Sequence, residues 1–123
     1  RQLDTGHCVD FRLVDIFNLP EDLRGIFDLV WEHTCLCALD PPTRAQYIAG
    51  VRSALRPCGT VAGVFYMNPA LDPGETGPPF GITLEELIRL WQEGGFEVQE
   101  HRLPEAAYEG REGRERLMRL RLR

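Results

Sequence analysis

Apolar and polar positions along this chain change their period several times, and each change marks an element. From Val9 to Asp15, apolar Val9, Phe11 and Leu13 alternate with Asp10 and Arg12, the period-two signature of a strand. Asn18-Leu19-Pro20 then breaks the run. Phe27-Asp28-Leu29-Val30-Trp31, with Gly25 just before it, is short, apolar and β-prone. That is the pattern of a buried parallel strand in the middle of a sheet.

The period then lengthens. Asp40 followed by Pro41 and Pro42 reads as a helix start, because a carboxylate can cap free N–H groups and proline suits the first turn. Tyr47, Ile48, Val51 and Leu55 recur at helical spacing, and Pro57 and Gly59 predict an end near Arg56. Thr60 to Tyr66 reads as another buried strand. The segment from Asn68 to Gly81 holds four prolines and three glycines and predicts a long loop. Thr83-Leu84-Glu85-Glu86 has capping-box spacing ahead of an apolar stripe of Leu84, Leu87, Ile88 and Trp91, which Gly94-Gly95 stops. Phe96 to Leu103 is a strand. After a polar turn from Tyr108 to Gly113, Met118 to Arg123 alternates apolar and charged, a strand with one wet face, antiparallel or at an edge.

The predicted order is strand, strand, helix, strand, loop, helix, strand, strand, an α/β pattern closing with an antiparallel pair. In such sheets ligands bind beyond the carboxyl ends of the parallel strands. Three such ends are visible: Asp15-Ile16-Phe17, Glu32-His33-Thr34, and Tyr66-Met67-Asn68 running into the Pro/Gly loop.

Composition narrows the function classes. The chain has 123 residues, about one domain, and carries 19 acidic against 14 basic residues for a formal charge of -5. Every basic residue is arginine and none gathers into a patch, so no nucleic-acid partner is expected. The longest apolar runs, around Ile26 to Trp31 and Val61 to Tyr66, are too short to span a bilayer, and the N-terminus has no signal pattern; a soluble, cytoplasmic location is expected. Cys8, Cys35, Cys37 and Cys58 lack paired C-x-x-C spacing, so reduced structural thiols are favoured over a metal site.

Several pieces, kept in order over nearly the whole chain, resemble the thiopurine and thiol/halide S-methyltransferases, class I enzymes dependent on S-adenosylmethionine. Phe27-Asp28-Leu29-Val30-Trp31-Glu32-His33-Thr34 and the following Cys35-Leu36-Cys37-Ala38-Leu39 resemble the family's fourth strand and its turn. Leu55-Arg56-Pro57-Cys58-Gly59 resembles the turn ahead of the fifth strand, with Cys58 at the first glycine, where strain is expected if that position needs a positive φ. Gly77-Pro78-Pro79-Phe80 and Gly110-Arg111-Glu112-Gly113-Arg114-Glu115 resemble a loop and a C-terminal element of the halide/thiol enzymes.

The resemblance implies a Rossmann-like sheet of order 3-2-1-4-5-7-6, of which this chain would supply strands 3 to 7. One partial domain is expected, with residues 1–25 as strand 3 and a linker and residues 26–123 as strands 4 to 7. Without strands 1 and 2, strand 3 has no neighbour, so the first two dozen residues are expected to be displaced, poorly ordered or docked on another chain, and unpaired strands invite self-association. The implied function is methyl transfer from S-adenosylmethionine to a small thiol, thiopurine or halide as part of a longer parent enzyme, by in-line attack on the donor methyl.

The implied roles fall on particular residues. Asp15 would accept from the adenine amino group and Ile16 pack on the base; a turn cap is the other reading of Asp15. Glu32, where the family usually has aspartate, would favour the sulfonium charge or take a thiol proton. His33, where relatives carry arginine or tyrosine, would act as base or neutral donor. Trp31, Thr34, Tyr66, Pro79 and Phe80 would line the pocket of a small-molecule acceptor, although aromatics at strand ends also serve as core. The family's glycine-rich cofactor loop is absent from these residues. The alternative is therefore a non-catalytic fragment or interaction module that has lost the cofactor. A nicotinamide-dependent half-domain ranks last, for want of a G-x-G-x-x-G fingerprint.

Overall fold

The computed structural model describes residues 9–67, 73–74, 76–106 and 113–123. Six main elements follow in order: β1 (Phe27–His33), α1 (Arg44–Ala54), β2 (Leu55–Tyr66), α2 (Leu84–Glu93), β3 (Phe96–Arg102) and β4 (Glu115–Leu122). The strands form one sheet in the order β1-β2-β4-β3, with β1 and β2 parallel and β4 antiparallel to both its neighbours. This is the expected 4-5-7-6 half of the sheet. The C-terminal strand is antiparallel as its alternation predicts, and lies inside the sheet, between β2 and β3.

Both helices pack on one face. Tyr47, Ile48 and Val51 of α1 and Leu87 and Trp91 of α2 close over Val61, Phe65, Phe96, Met118, Leu120 and Leu122 of the sheet. Trp91 sits edge-on to Phe65 and to Phe96, with ring centroids 5.9 and 5.1 Å away, favourable aromatic geometry. The predicted N-cap forms: the Thr83 hydroxyl accepts from the Glu86 N–H at 3.1 Å and starts α2. Gly94 and Gly95 follow its last turn.

Four expectations need correction. Val9 to Asp15 forms no strand; Val9, Phe11, Leu13 and Val14 are exposed, because alternation makes a strand only where a ladder partner exists. The rest of the N-terminal segment is nonetheless docked. Leu19 is buried, and the Gly25 and Ile26 N–H groups donate to the Ser53 and Ala54 carbonyls at the end of α1. Gly50 makes this docking possible, since a Cβ there would run into the Ile16 carbonyl.

Thirdly, β1 is an edge strand rather than a central one; among the described residues β2 is its one strand neighbour, and Phe27, Leu29 and Trp31 remain exposed. Fourthly, α1 ends at Ala54 and β2 begins at once with Leu55, which pairs with Phe27 before a register shift leads to Leu29 opposite Thr60. Arg56 to Gly59 fill that irregularity, so Pro57 lies in a strand at a bulge, where its missing N–H is tolerated. Cys58 adopts φ +64°, the left-handed conformation that would suit a glycine.

Candidate functional site

The carboxyl end of β1 and the turn after it hold Trp31, Glu32, His33 and Thr34, four of the nine residues singled out from the sequence. Strand alternation sends Trp31 and His33 to one face and Glu32 to the other. Trp31 and His33 are exposed neighbours with ring centroids 6.5 Å apart. Thr34 follows at φ +60°, its hydroxyl donating to the His33 carbonyl at 2.6 Å.

Glu32 faces inward and is only 2 % exposed. It pairs in register with Gly63, where an added Cβ would come within 2.9 Å of the Glu32 Cβ, so glycine leaves the carboxylate side its room. Its Oε1 accepts from the Leu36 N–H at 2.6 Å and from the Tyr47 hydroxyl at 3.3 Å, while Oε2 is buried without a partner. Burial pushes the Glu32 carboxyl above its usual range, against the lowering effect of the Leu36, Tyr47 and Cys35 hydrogen bonds. Burial and then the neighbouring Glu32 charge push the Tyr47 hydroxyl up, and burial raises the Cys35 thiol. Cys35 is thus held as a poor nucleophile. Glu32 ties the turn after β1 to α1 and presents no oxygen to solvent.

Tyr47 was legible only as a member of the apolar face of α1; the signal for its second role is that a buried tyrosine hydroxyl needs a partner. Arg44 is a second tie that the sequence pattern did not reveal. It is buried, donates through Nη2 to the Gly81 carbonyl at 3.0 Å, and lies 3.8 Å from Glu86. Together with the Phe80 N–H, which donates to the Cys37 carbonyl at 2.7 Å, it fastens the Pro/Gly loop beside the turn after β1. Pro79 and Phe80, both half-buried, are thereby brought to the side of the turn after β1. Tyr66 sits at the carboxyl end of β2 opposite Glu115.

Asp15 and Ile16 are anchored elsewhere, against α1. The exposed Asp15 carboxylate accepts from the Phe17 N–H at 2.9 Å, and its carbonyl accepts from the Asn18 N–H at 3.0 Å, the arrangement of a turn cap. Ile16 is half-buried at Gly50. The stretch from Gly110 to Glu112 lies outside the described residues; Glu115, at the end of that motif, is buried at the start of β4.

Comparison with known proteins decides the family. The profile of the family described as thiopurine S-methyltransferase matches residues 5–120. The chain belongs to the thiopurine S-methyltransferase family. It is 37 % identical to the rat thiopurine S-methyltransferase over 79 residues, which are 62 % of this chain and 31 % of that protein. Against the Vibrio parahaemolyticus thiopurine S-methyltransferase the identity is 31 % over 84 residues, 68 % of this chain and 36 % of that one. The chain thus spans about a third of the length of these curated relatives. A structure of an S-adenosylmethionine-dependent methyltransferase from Methanosarcina mazei superposes with a TM-score of 0.75 at 20 % identity, covering 92 % of this chain and 66 % of that one, and so shares the fold.

Membership of this family implies S-adenosylmethionine as methyl donor. The described residues do not by themselves fit that group. Glu32, assigned by resemblance to the sulfonium, is closed into the core, and Asp15 is engaged in its own turn. Among the described residues no helix is long and apolar enough to cross a membrane.

Proposed function

We propose that this chain is the acceptor-side half of an S-adenosylmethionine-dependent methyltransferase acting on a small thiol, thiopurine or halide, working within a longer parent that brings the glycine loop to the free edge of β1. The single observation that carries the reading is that edge. Leu29 and Trp31 are 55 % and 60 % exposed on a strand of the 4-5-7-6 half-sheet whose apolar sequence suits burial on both sides. The fastened Pro79-Phe80 segment and the exposed His33 then stand at the carboxyl edge, where an acceptor would enter.

Calorimetric titration of the 123-residue chain with S-adenosylhomocysteine, repeated with Asp15→Ala, tests the division of labour. The expected result is no saturable binding by the chain alone. Binding should appear, together with methyl transfer to small thiols, when a segment bearing the glycine loop is supplied in the same polypeptide. Failure of the supplemented protein to methylate any thiol, thiopurine or halide would sink the reading. Micromolar binding by the isolated chain, lost in D15A, would instead place a working adenine half-site on these residues.

A further inference from the structure

The buried carboxyl of Glu32 is enclosed by three elements that are held with unequal firmness. β2 runs beside it with Gly63 in register, α1 brings the Tyr47 hydroxyl to 3.3 Å from Oε1, and the short turn Leu36–Ala38 brings its first N–H to the same oxygen at 2.6 Å. Oε2 is buried with no hydrogen-bond partner. Strand and helix are fixed by their ladders and by the core. The turn is three residues long, rests in the core through Leu36, and closes on two backbone bonds, from the Ala38 N–H to the Cys35 carbonyl and from the Leu39 N–H to the Leu36 carbonyl.

Among the described residues no cation answers that carboxyl. On α1 the group beside it is Tyr47, and Arg44, the buried cation one turn earlier, is directed to the Gly81 carbonyl and Glu86. The titratable neighbour on the turn is the Cys35 thiol, β2 contributes Gly63, and on β1 itself His33 lies on the other face. Burial pushes Tyr47 and Cys35 up, so both stay neutral where a carboxyl titrates. A charge on Glu32 would leave Oε2 dry and unanswered, and an ionised oxygen in such a place must be reached by water or move to it. The turn is the side that can yield.

We propose that Glu32 is a proton-controlled latch on the turn after β1. With the carboxyl neutral the turn closes over it, and the Cys37 carbonyl holds the Phe80 N–H at 2.7 Å; on ionisation the turn lifts, water reaches Oε2, and Phe80 is released. Opening passes one proton from Glu32 to solvent, so rising pH favours the open form. Burial raises the closed carboxyl, whereas the open one has its ordinary value of 4.5. The opening constant therefore rises by about tenfold per pH unit above the ordinary value and levels off above the raised one. The latch belongs to these residues and stands whether or not the methyltransferase reading does.

Amide exchange of the 123-residue chain, followed by NMR from about pH 5 to about pH 9 and corrected for intrinsic exchange, tests the latch. Protection at Leu36 and Phe80 should fall together, by about tenfold per pH unit until it levels off, and stay below that of Leu120 inside the sheet. The Ile82 N–H, which ties the far end of the loop to the Met67 carbonyl, should show no such fall. Glu32→Gln cannot ionise and should hold Leu36 and Phe80 at one protection throughout. Should E32Q not fold, Tyr47→Phe removes a donor that favours the ionised form and should move the levelling-off to higher pH. The proposal is overturned if protection at Phe80 is flat, if it equals that of Leu120 at every pH, if E32Q keeps the fall, or if Y47F levels off where the wild type does.

Discussion

Strands β1 and β4 carry similar apolar content and are treated oppositely by the fold. In β4, Met118, Leu120 and Leu122 sit under the helices while Arg119 and Arg121 meet water, so the alternation in the sequence equals the alternation in burial. In β1 the run is nearly continuous, yet Phe27, Leu29 and Trp31 are exposed and only Glu32 is buried. A strand inside the sheet has its surroundings supplied by this chain. The edge strand has β2 as its one strand neighbour among the described residues, and the largest apolar exposure among them lies along it and along Val9 to Val14.

The sharpest way to break this comparison is to truncate one residue from each strand. Met118→Ala, at 1 % exposure, should cost about 2–5 kcal/mol through lost burial and the cavity left behind. Trp31→Ala, at 60 % exposure, should cost less than about 1 kcal/mol despite its larger side chain, and should reduce any self-association of the chain. Urea unfolding with analytical ultracentrifugation reads both. Equal losses would mean that β1 is covered in solution.

Glu32 comes next in size. Glu32→Ala leaves the Leu36 N–H and the Tyr47 hydroxyl without their acceptor and should cost about 1–3 kcal/mol. The pH dependence carries a definite sign. The folded carboxyl lies above its ordinary value of 4.5, so the stabilisation belongs to the protonated form. It is fully present below that ordinary value and is lost as pH rises through the raised folded value. Stability measured from pH 4.5 upward should therefore contain a falling component that Glu32→Gln removes. A wild type and E32Q with superimposable pH profiles would show that Glu32 is solvated.

The docked N-terminal segment gives a test whose sign is decided by one contact. In a bare helix Gly50→Ala would stabilise by about 1 kcal/mol. Here the new Cβ meets the Ile16 carbonyl, so G50A should destabilise by about 1–3 kcal/mol and speed amide exchange at Gly25 and Ile26, whose N–H groups bond to the end of α1. Stabilisation with unchanged exchange would mean that Ile16 to Gly25 are not held against the helix.

What was legible in the sequence follows from which interactions are local. Alternation in β4, the Thr83 cap and the Gly94-Gly95 stop depend on neighbours a few residues away, and each was readable. Pairing is not local: Val9 to Asp15 has a strand pattern and no ladder, and the Phe27 run has a core pattern and an edge position. The site shows the same division. The turn-cap reading of Asp15 needs only Phe17 and Asn18 and matches the geometry. The inward turn of Glu32 onto Tyr47 depends on α1 lying across β1, which no spacing in the sequence encodes.

The smallest effect concerns the bulge that joins α1 to β2. Cys58 is exposed at φ +64°, where an L side chain costs about 1–2 kcal/mol. Glycine removes that cost but returns roughly 0.5–1 kcal/mol of unfolded-chain entropy. Cys58→Gly should therefore stabilise, by about 0.5 kcal/mol, whereas glycine placed elsewhere in β2, at Val64 for example, should destabilise. The position is informative because Arg56 to Gly59 absorb the register shift between β1 and β2. If C58G lowers the urea midpoint, the left-handed turn is held by contacts of the cysteine side chain, and the shift is enforced by packing rather than tolerated by the backbone.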